Sequence, residues 1–256
     1  MKAICISAVF FILLLNGCYT PHFLPNTVPA PFFENSGNVR AGFYAGTNSY
    51  DAHLAVSPLQ HIGIVGSYSY SSSSKVKEDK PDTEAEFTHG HKYFEGALGF
   101  YTTPIPMGKS LFKSEIFVGY GKGTTSGSLN EGKKNWIGMI VPTTQVDANY
   151  LQYYVQMNVS MTESNVLGDT RSNALKLEYG TIFRFSRTGI TNYSRFGQDL
   201  GIPSTTFNCL QIAASLSTVS TLKFTCQSGW LFILSKGERP AYSPFYVTVG
   251  IGLSLW

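Results

Sequence analysis

Charge is scarce in this chain: 19 basic and 16 acidic side chains among 256 residues make 14%, against about 25% in ordinary soluble domains. So thin a charged coat does not suit a water-covered enzyme of this size. No basic block with interleaved aromatics stands out and the net charge is only +3, so nucleic-acid binding has no support. From Asn38 to Trp256 the chain also lacks any apolar run of the roughly 20 residues that a transmembrane helix needs. Cysteine is limited to four. What is present is aromatic and small: 14% aromatics and 25 glycines with mean hydropathy of −0.01. That is ample apolar surface to bury, which excludes intrinsic disorder.

The amino terminus has the layout of a targeting segment, with Met1-Lys2, the apolar run from Ala8 to Leu15 and then Leu15-Asn16-Gly17-Cys18. Residues 1–17 are therefore expected to be a signal peptide. The Leu-x-Gly-Cys ending resembles the lipobox of bacterial lipoproteins, in which the cysteine becomes the first mature residue and carries the acyl groups. The resemblance implies lipidation at Cys18. Residues 18–37, with prolines at 21, 25, 29 and 31, read as an extended Pro-rich tether, and 38–256 as the folded domain. Cys209 and Cys226 would sit on neighbouring strands in an oxidising compartment, but alternation puts them on opposite faces, which argues against a bridge.

Period-2 alternation dominates the folded domain. Over 150–160, Leu151, Tyr153, Val155, Met157 and Val159 line one face and Gln152, Tyr154, Gln156, Asn158 and Ser160 the other, too long for a typical soluble strand. Segments 173–186 and 245–255 repeat the pattern, and weaker versions occur at 39–47, 50–56, 61–70, 91–103, 111–122, 207–217 and 221–234. The strand count is ten, or eight if the 39–56 hairpin lies outside the wall. Connections alternate as well. Those at 57–60, 104–110, 161–172 and 218–220 are the shorter set, and those at 71–90, 123–149, 187–206 and 235–244 are long. This is the layout of an antiparallel up-and-down transmembrane β-barrel of the outer membrane of a Gram-negative bacterium, with both ends of the wall in the periplasm. A soluble lipocalin-like barrel would alternate too. The polar face tips the choice, because it is rich in Gly, Tyr, Gln, Ser and Asn, which suits a crowded lumen. Tyr68, Tyr70, Tyr101 and Tyr120 near strand ends suit interface girdles.

Turning the polar face inward gathers Arg40, Lys113, Lys176, Arg184 and Lys223 with Asp51, Glu95, Glu115 and Glu178. Such charges must pair where water is scarce, and a ten-stranded barrel is narrow, so a plugged or very tight lumen is expected. Catalytic patterns are thin. Asp51-x-His53 puts a carboxylate and an imidazole on one strand face near the outer rim, a pair that can act as a general base; omptin-type barrel proteases use an Asp-His pair, with further aspartates that have no match here. His89-x-His91 lacks further metal ligands, and His61 with Ser67 or Ser69 has no spacing to recommend it. Residues 71–88 read as a solvated loop. In 123–149 the apolar stretch Trp136, Ile137, Met139, Ile140 and Val141 reads as a lid over the mouth or a docking surface.

The lipobox, the Pro-rich tether and the segment from Ala41 to Asp51 followed by His61-Ile62-Gly63 resemble a Bacteroidetes-type group of outer-membrane β-barrel lipoproteins, over roughly residues 15–70. The resemblance implies location and fold, with no known chemistry. The residues after Cys18, Tyr-Thr-Pro-His, lack the acidic cluster of lipoproteins sent to the cell surface, which assigns the lipid to the periplasmic leaflet. The expectation is thus a lipid-anchored, membrane-spanning barrel with a structural or surface-interaction role and no enzymatic activity, no catalytic or metal site, and no cofactor beyond the acyl groups. A narrow pore for small solutes or a rim hydrolase using Asp51 and His53 are the alternatives. Its expected partners are outer-membrane lipids and the barrel-assembly and lipoprotein-export machineries.

Overall fold

The computed structural model describes residues 26–47, 49–80, 83–130, 144–163, 176–195, 198–199, 206–234 and 244–255. Cys18 and the stretch Trp136 to Val141 lie outside them. In chain order the strands are β1 (Val39–Gly46), β2 (Tyr50–Leu59), β3 (Ile62–Lys80), β4 (Thr83–Tyr101), β5 (Ile105–Met107), β6 (Ser110–Asn130), β7 (Thr144–Glu163), β8 (Leu177–Arg195), β9 (Gln198–Asp199), β10 (Thr206–Thr218), β11 (Leu222–Ile233) and β12 (Phe245–Leu255). Ten of them form an antiparallel closed barrel. β1 pairs with β2 on one side and with β12 on the other, from Val39 opposite Leu255 to Gly46 opposite Thr248. The hairpin of 39–56 is therefore part of the wall, and its pairing with β12 removes the open edges that a flat sheet would present. β5 and β9 are short additions on β6 and β8.

The end that carries Val39 and Leu255 also carries the tight β2–β3 and β10–β11 turns, and by the rule for such barrels it faces the periplasm. His61, in the first of these turns, takes a left-handed φ of 68° and its Nδ1 lies 2.9 Å from the carbonyl of Tyr101.

Alternation sets what each face meets. The outward set is apolar and bare, with Phe94 63%, Val118 64% and Leu98 59% exposed, a surface that water would not tolerate and lipid would. The inward set is polar and buried. Tyr68, Tyr70 and Tyr120 lie on the outer face. Tyr101 does not: expected in a girdle, it is 1% exposed inside the lumen, its ring 5.4 Å from that of Phe33 and its hydroxyl 2.8 Å from that of Ser57.

The wall is uneven in height. β3, β4, β6, β7 and β8 run for 19 to 21 residues, about twice the 9–11 that cross a bilayer, whereas β1, β2, β10, β11 and β12 run for 8 to 13. The solvated loop expected over 71–88 is instead the ladder of β3 against β4, paired as far as Lys80 opposite Thr83. Likewise β6 reaches Asn130, β7 begins at Thr144 and β8 continues to Arg195. The ladder thus persists beyond the stretch over which hydropathy alternates in the sequence.

Candidate functional site in the filled lumen

The segment read as a tether runs, from Asn26 to Glu34, inside the barrel. It has no secondary structure of its own, so its backbone groups depend on the wall. Gln227 supplies two bonds at once: its Oε1 accepts from the Val28 amide at 2.9 Å and its Nε2 donates to the Val28 carbonyl at 3.0 Å. Gln211 donates to the Asn26 carbonyl at 3.1 Å and Gln156 to that of Pro29 at 2.6 Å. The Phe33 amide donates to Glu115 at 2.6 Å. Thr27 donates from both its amide and its hydroxyl to Asp51, which Ser49 holds from the other side.

Two aromatic side chains wedge the segment against opposite walls. A left-handed φ of 51° at Phe32 turns two successive rings apart. The Phe33 ring lies over Gly63 and the Phe32 ring over Gly180, so closely that a Cβ at Gly63 would meet Phe33 at 2.6 Å and one at Gly180 would meet Phe32 at 2.4 Å. Glycine at both places is what admits the plug.

Around it, the charges form layers. At the periplasmic end Lys113 donates to Glu34 and Glu178, each at 2.6 Å, and Lys223 donates to Glu178 at 3.1 Å. Next, Glu115 accepts from Asn158 at 2.8 Å. Above that, Arg184 grips Glu95 with two bonds of 2.8 and 2.9 Å, donates twice to Gln156 and sits 4.0 Å over the Tyr154 ring. The Tyr93 hydroxyl lies 3.0 Å from Glu95 and 2.6 Å from Gln152. Towards the outer mouth the rings of Tyr93 and Tyr150 stack at 5.6 Å, and His91 stacks on Tyr150 at 5.9 Å.

The structure thus places Asp51, Glu95, Lys113, Glu115, Glu178, Arg184 and Lys223 together in the lumen, and Arg40 is buried there too. Lys176 is corrected: it is exposed and precedes β8, because the strand begins at Leu177 and not at 173, where the alternation starts. Glu34, Gln156 and Gln227 belong to the network and escaped a search for charged wall positions, since one is on the plug and two are amides. The signal for the two amides was the recurrence of Gln on the polar face.

Asp51 and His53 share the inner face, but Asp51 is occupied by Thr27 and Ser49, and the His53 ring packs at a tilt against that of Tyr44, 4.6 Å between centroids. Beside them a cavity of about 50 Å³ is lined by Arg40, His53, Ser215, Lys223 and Thr225, room for a few water molecules. Ser67 and Ser69 are buried in the lumen, away from His61 in its periplasmic turn. His91 is buried, and no group of three metal-ligating side chains occurs among the described residues. Cys209 is buried and Cys226 exposed, both free, on the opposite faces that alternation assigned.

No family model and no curated protein matches the chain. Solved structures do. LpxR from Salmonella typhimurium is 7% identical, covering 85% of this chain and 99% of that one with a TM-score of 0.35, and a NanC porin is 11% identical over the same shares with a TM-score of 0.25. The expectation of a protein without enzymatic activity is withdrawn, since the neighbours of this fold include LpxR, an outer-membrane enzyme, beside a porin. What the chain shares with these proteins is the fold, an outer-membrane-type β-barrel.

Proposed function

We propose that the protein is a closed outer-membrane barrel that acts at its outer surface, in a structural or surface-interaction role, and does not conduct solutes. It is lipid-anchored through Cys18 in this reading, with outer-membrane lipids as its surroundings and the barrel-assembly and lipoprotein-export machineries as its route. The observation that carries the reading is the plug: Asn26 to Glu34 is bonded to side chains of β2, β6, β7, β10 and β11. A porin needs a water-filled path, and the charged groups Arg184, Lys113, Glu95 and Glu178 of this lumen are no more than 1% exposed.

The test is conductance. Purified protein inserted in planar bilayers should give no stable single-channel steps in neutral salt. Replacing 26–34 by Gly and Ser in equal number should raise open events. Stable, large steps from the intact chain would end this reading in favour of a pore.

A further inference from the structure

The plug has a direction. Gly37 and Asn38 exchange backbone bonds of 2.7 and 2.9 Å with Ser57 near the periplasmic end of β2. Glu34 meets Lys113 close to the periplasmic start of β6, Phe33 meets Glu115 one inward position higher, and Pro29 and Val28 lie at mid-height with Gln156 and Gln227. Thr27 reaches Asp51, next to the outermost residue of β2, and Asn26 reaches Gln211. Traced backwards from β1, the chain climbs the lumen from the periplasmic end to the outer mouth, beside the low wall of β1, β2 and β10 to β12.

From this path we infer that the mature amino terminus leaves the barrel on the extracellular side, so that an acyl group on Cys18 is held in the outer leaflet. The second clause rests on the lipoprotein reading; the first does not. Cys18 and Asn26 are eight positions apart in the sequence, a reach of roughly 27 Å when extended, ample from the low rim to the adjoining leaflet. A return to the periplasm finds no opening among the described residues. Through the lumen it would have to pass the Arg184–Glu95 and Lys113–Glu178 layers, which are fully buried, beside a cavity of about 50 Å³ that has room for waters but not for a second chain. Outside the wall it would drag unpaired backbone through hydrocarbon. The periplasmic leaflet expected from the missing acidic cluster is therefore replaced: the anchor reaches the surface by being threaded as the wall closes around residues 26–38, and needs no surface-export signal of its own. It fastens the low side of the barrel to the outer leaflet, opposite the tall wall.

The experiment inserts a hemagglutinin epitope between Pro21 and His22 of the full-length protein and, as a reference, in the 103–109 turn of a second variant. Heat-modifiable gel mobility certifies that each barrel is closed, and a fatty-acid alkyne reports acylation of Cys18. On intact cells the antibody should bind the first variant and miss the second. Surface binding with no acylation would end the lipid reading and leave the outward exit standing. Binding to the first variant only after the outer membrane is permeabilised would overturn the inference. Should the insertion hinder assembly, Thr20→Cys probed on intact cells with a membrane-impermeant maleimide gives the same two outcomes.

Discussion

Arg184 shows how a barrel this narrow tolerates charge. Its guanidinium makes four hydrogen bonds at once, two to Glu95 and two to Gln156, in the bidentate geometry that lysine cannot copy. Both members of the pair are all but fully buried. Arg184→Met leaves the Glu95 carboxylate buried without its cation, which destabilises by about 3–5 kcal/mol; adding Glu95→Gln recovers part of that loss, since a neutral amide desolvates at lower cost. Guanidinium unfolding of the vesicle-inserted protein reads both. Equal midpoints for the single and double variants would mean that the pair is not coupled. At this scale the sequence was informative for the wall: period 2 put Glu95, Glu178 and Arg184 on one face without any knowledge of contacts. It failed at Lys176, where the alternation ran on past the start of the strand at Leu177, and at Tyr101, because an aromatic at a strand end looks the same whether it turns to lipid or to the lumen.

Among elements, the plug is the one the sequence hid. Strands announce themselves through alternation because each has two different neighbours, lipid and lumen. A segment lying inside the lumen is surrounded by one environment on all sides and has no period, so four prolines in the tether, at 21, 25, 29 and 31, read as a linker. The clue was in the wall, in the inward glycines at 63 and 180 that leave room for Phe33 and Phe32. This pairing is open to a double-mutant cycle. Phe33→Ala removes a fully buried ring from the cluster with Ala55, Val65, Tyr101 and Phe117 and should destabilise by about 3–5 kcal/mol. Gly63→Ala should cost about 1–3 kcal/mol by overpacking against the same ring. In the Phe33→Ala background the added methyl keeps only its contact with the Phe117 ring, at 3.3 Å, so the Gly63→Ala penalty should shrink, a coupling of the kind seen for residues in contact. Strictly additive losses in gel-shift melting would show that Phe33 does not sit on Gly63. The same logic bears on the strand lengths: β3, β4, β6, β7 and β8 are about twice as long as a bilayer requires, and a strand length beyond the lipid belt has no lipid face to write a period into the sequence.

For the molecule as a whole, everything turns on what the bare apolar belt touches. Leu98 lies in its middle, opposite Ile64 on β3 and Val118 on β6, and all three are exposed. Tyr70 stands near the outer rim, opposite Lys92. If hydrocarbon covers the belt, Leu98→Arg must hold a cation close to the bilayer midplane and costs about 2–4 kcal/mol, while Tyr70→Arg, at headgroup level, costs about 0–1 kcal/mol. If water covered the belt, both would be ordinary surface substitutions worth no more than about 0.5 kcal/mol either way. The depth dependence separates the two cases more sharply than either value alone, because a general loss of foldability would not respect height on the wall. Equilibrium unfolding of both variants in phospholipid vesicles should therefore give a midpoint clearly lowered for Leu98→Arg and nearly unchanged for Tyr70→Arg; indistinguishable midpoints would mean that the belt faces no membrane, and the inward and outward assignments built on it would fall together.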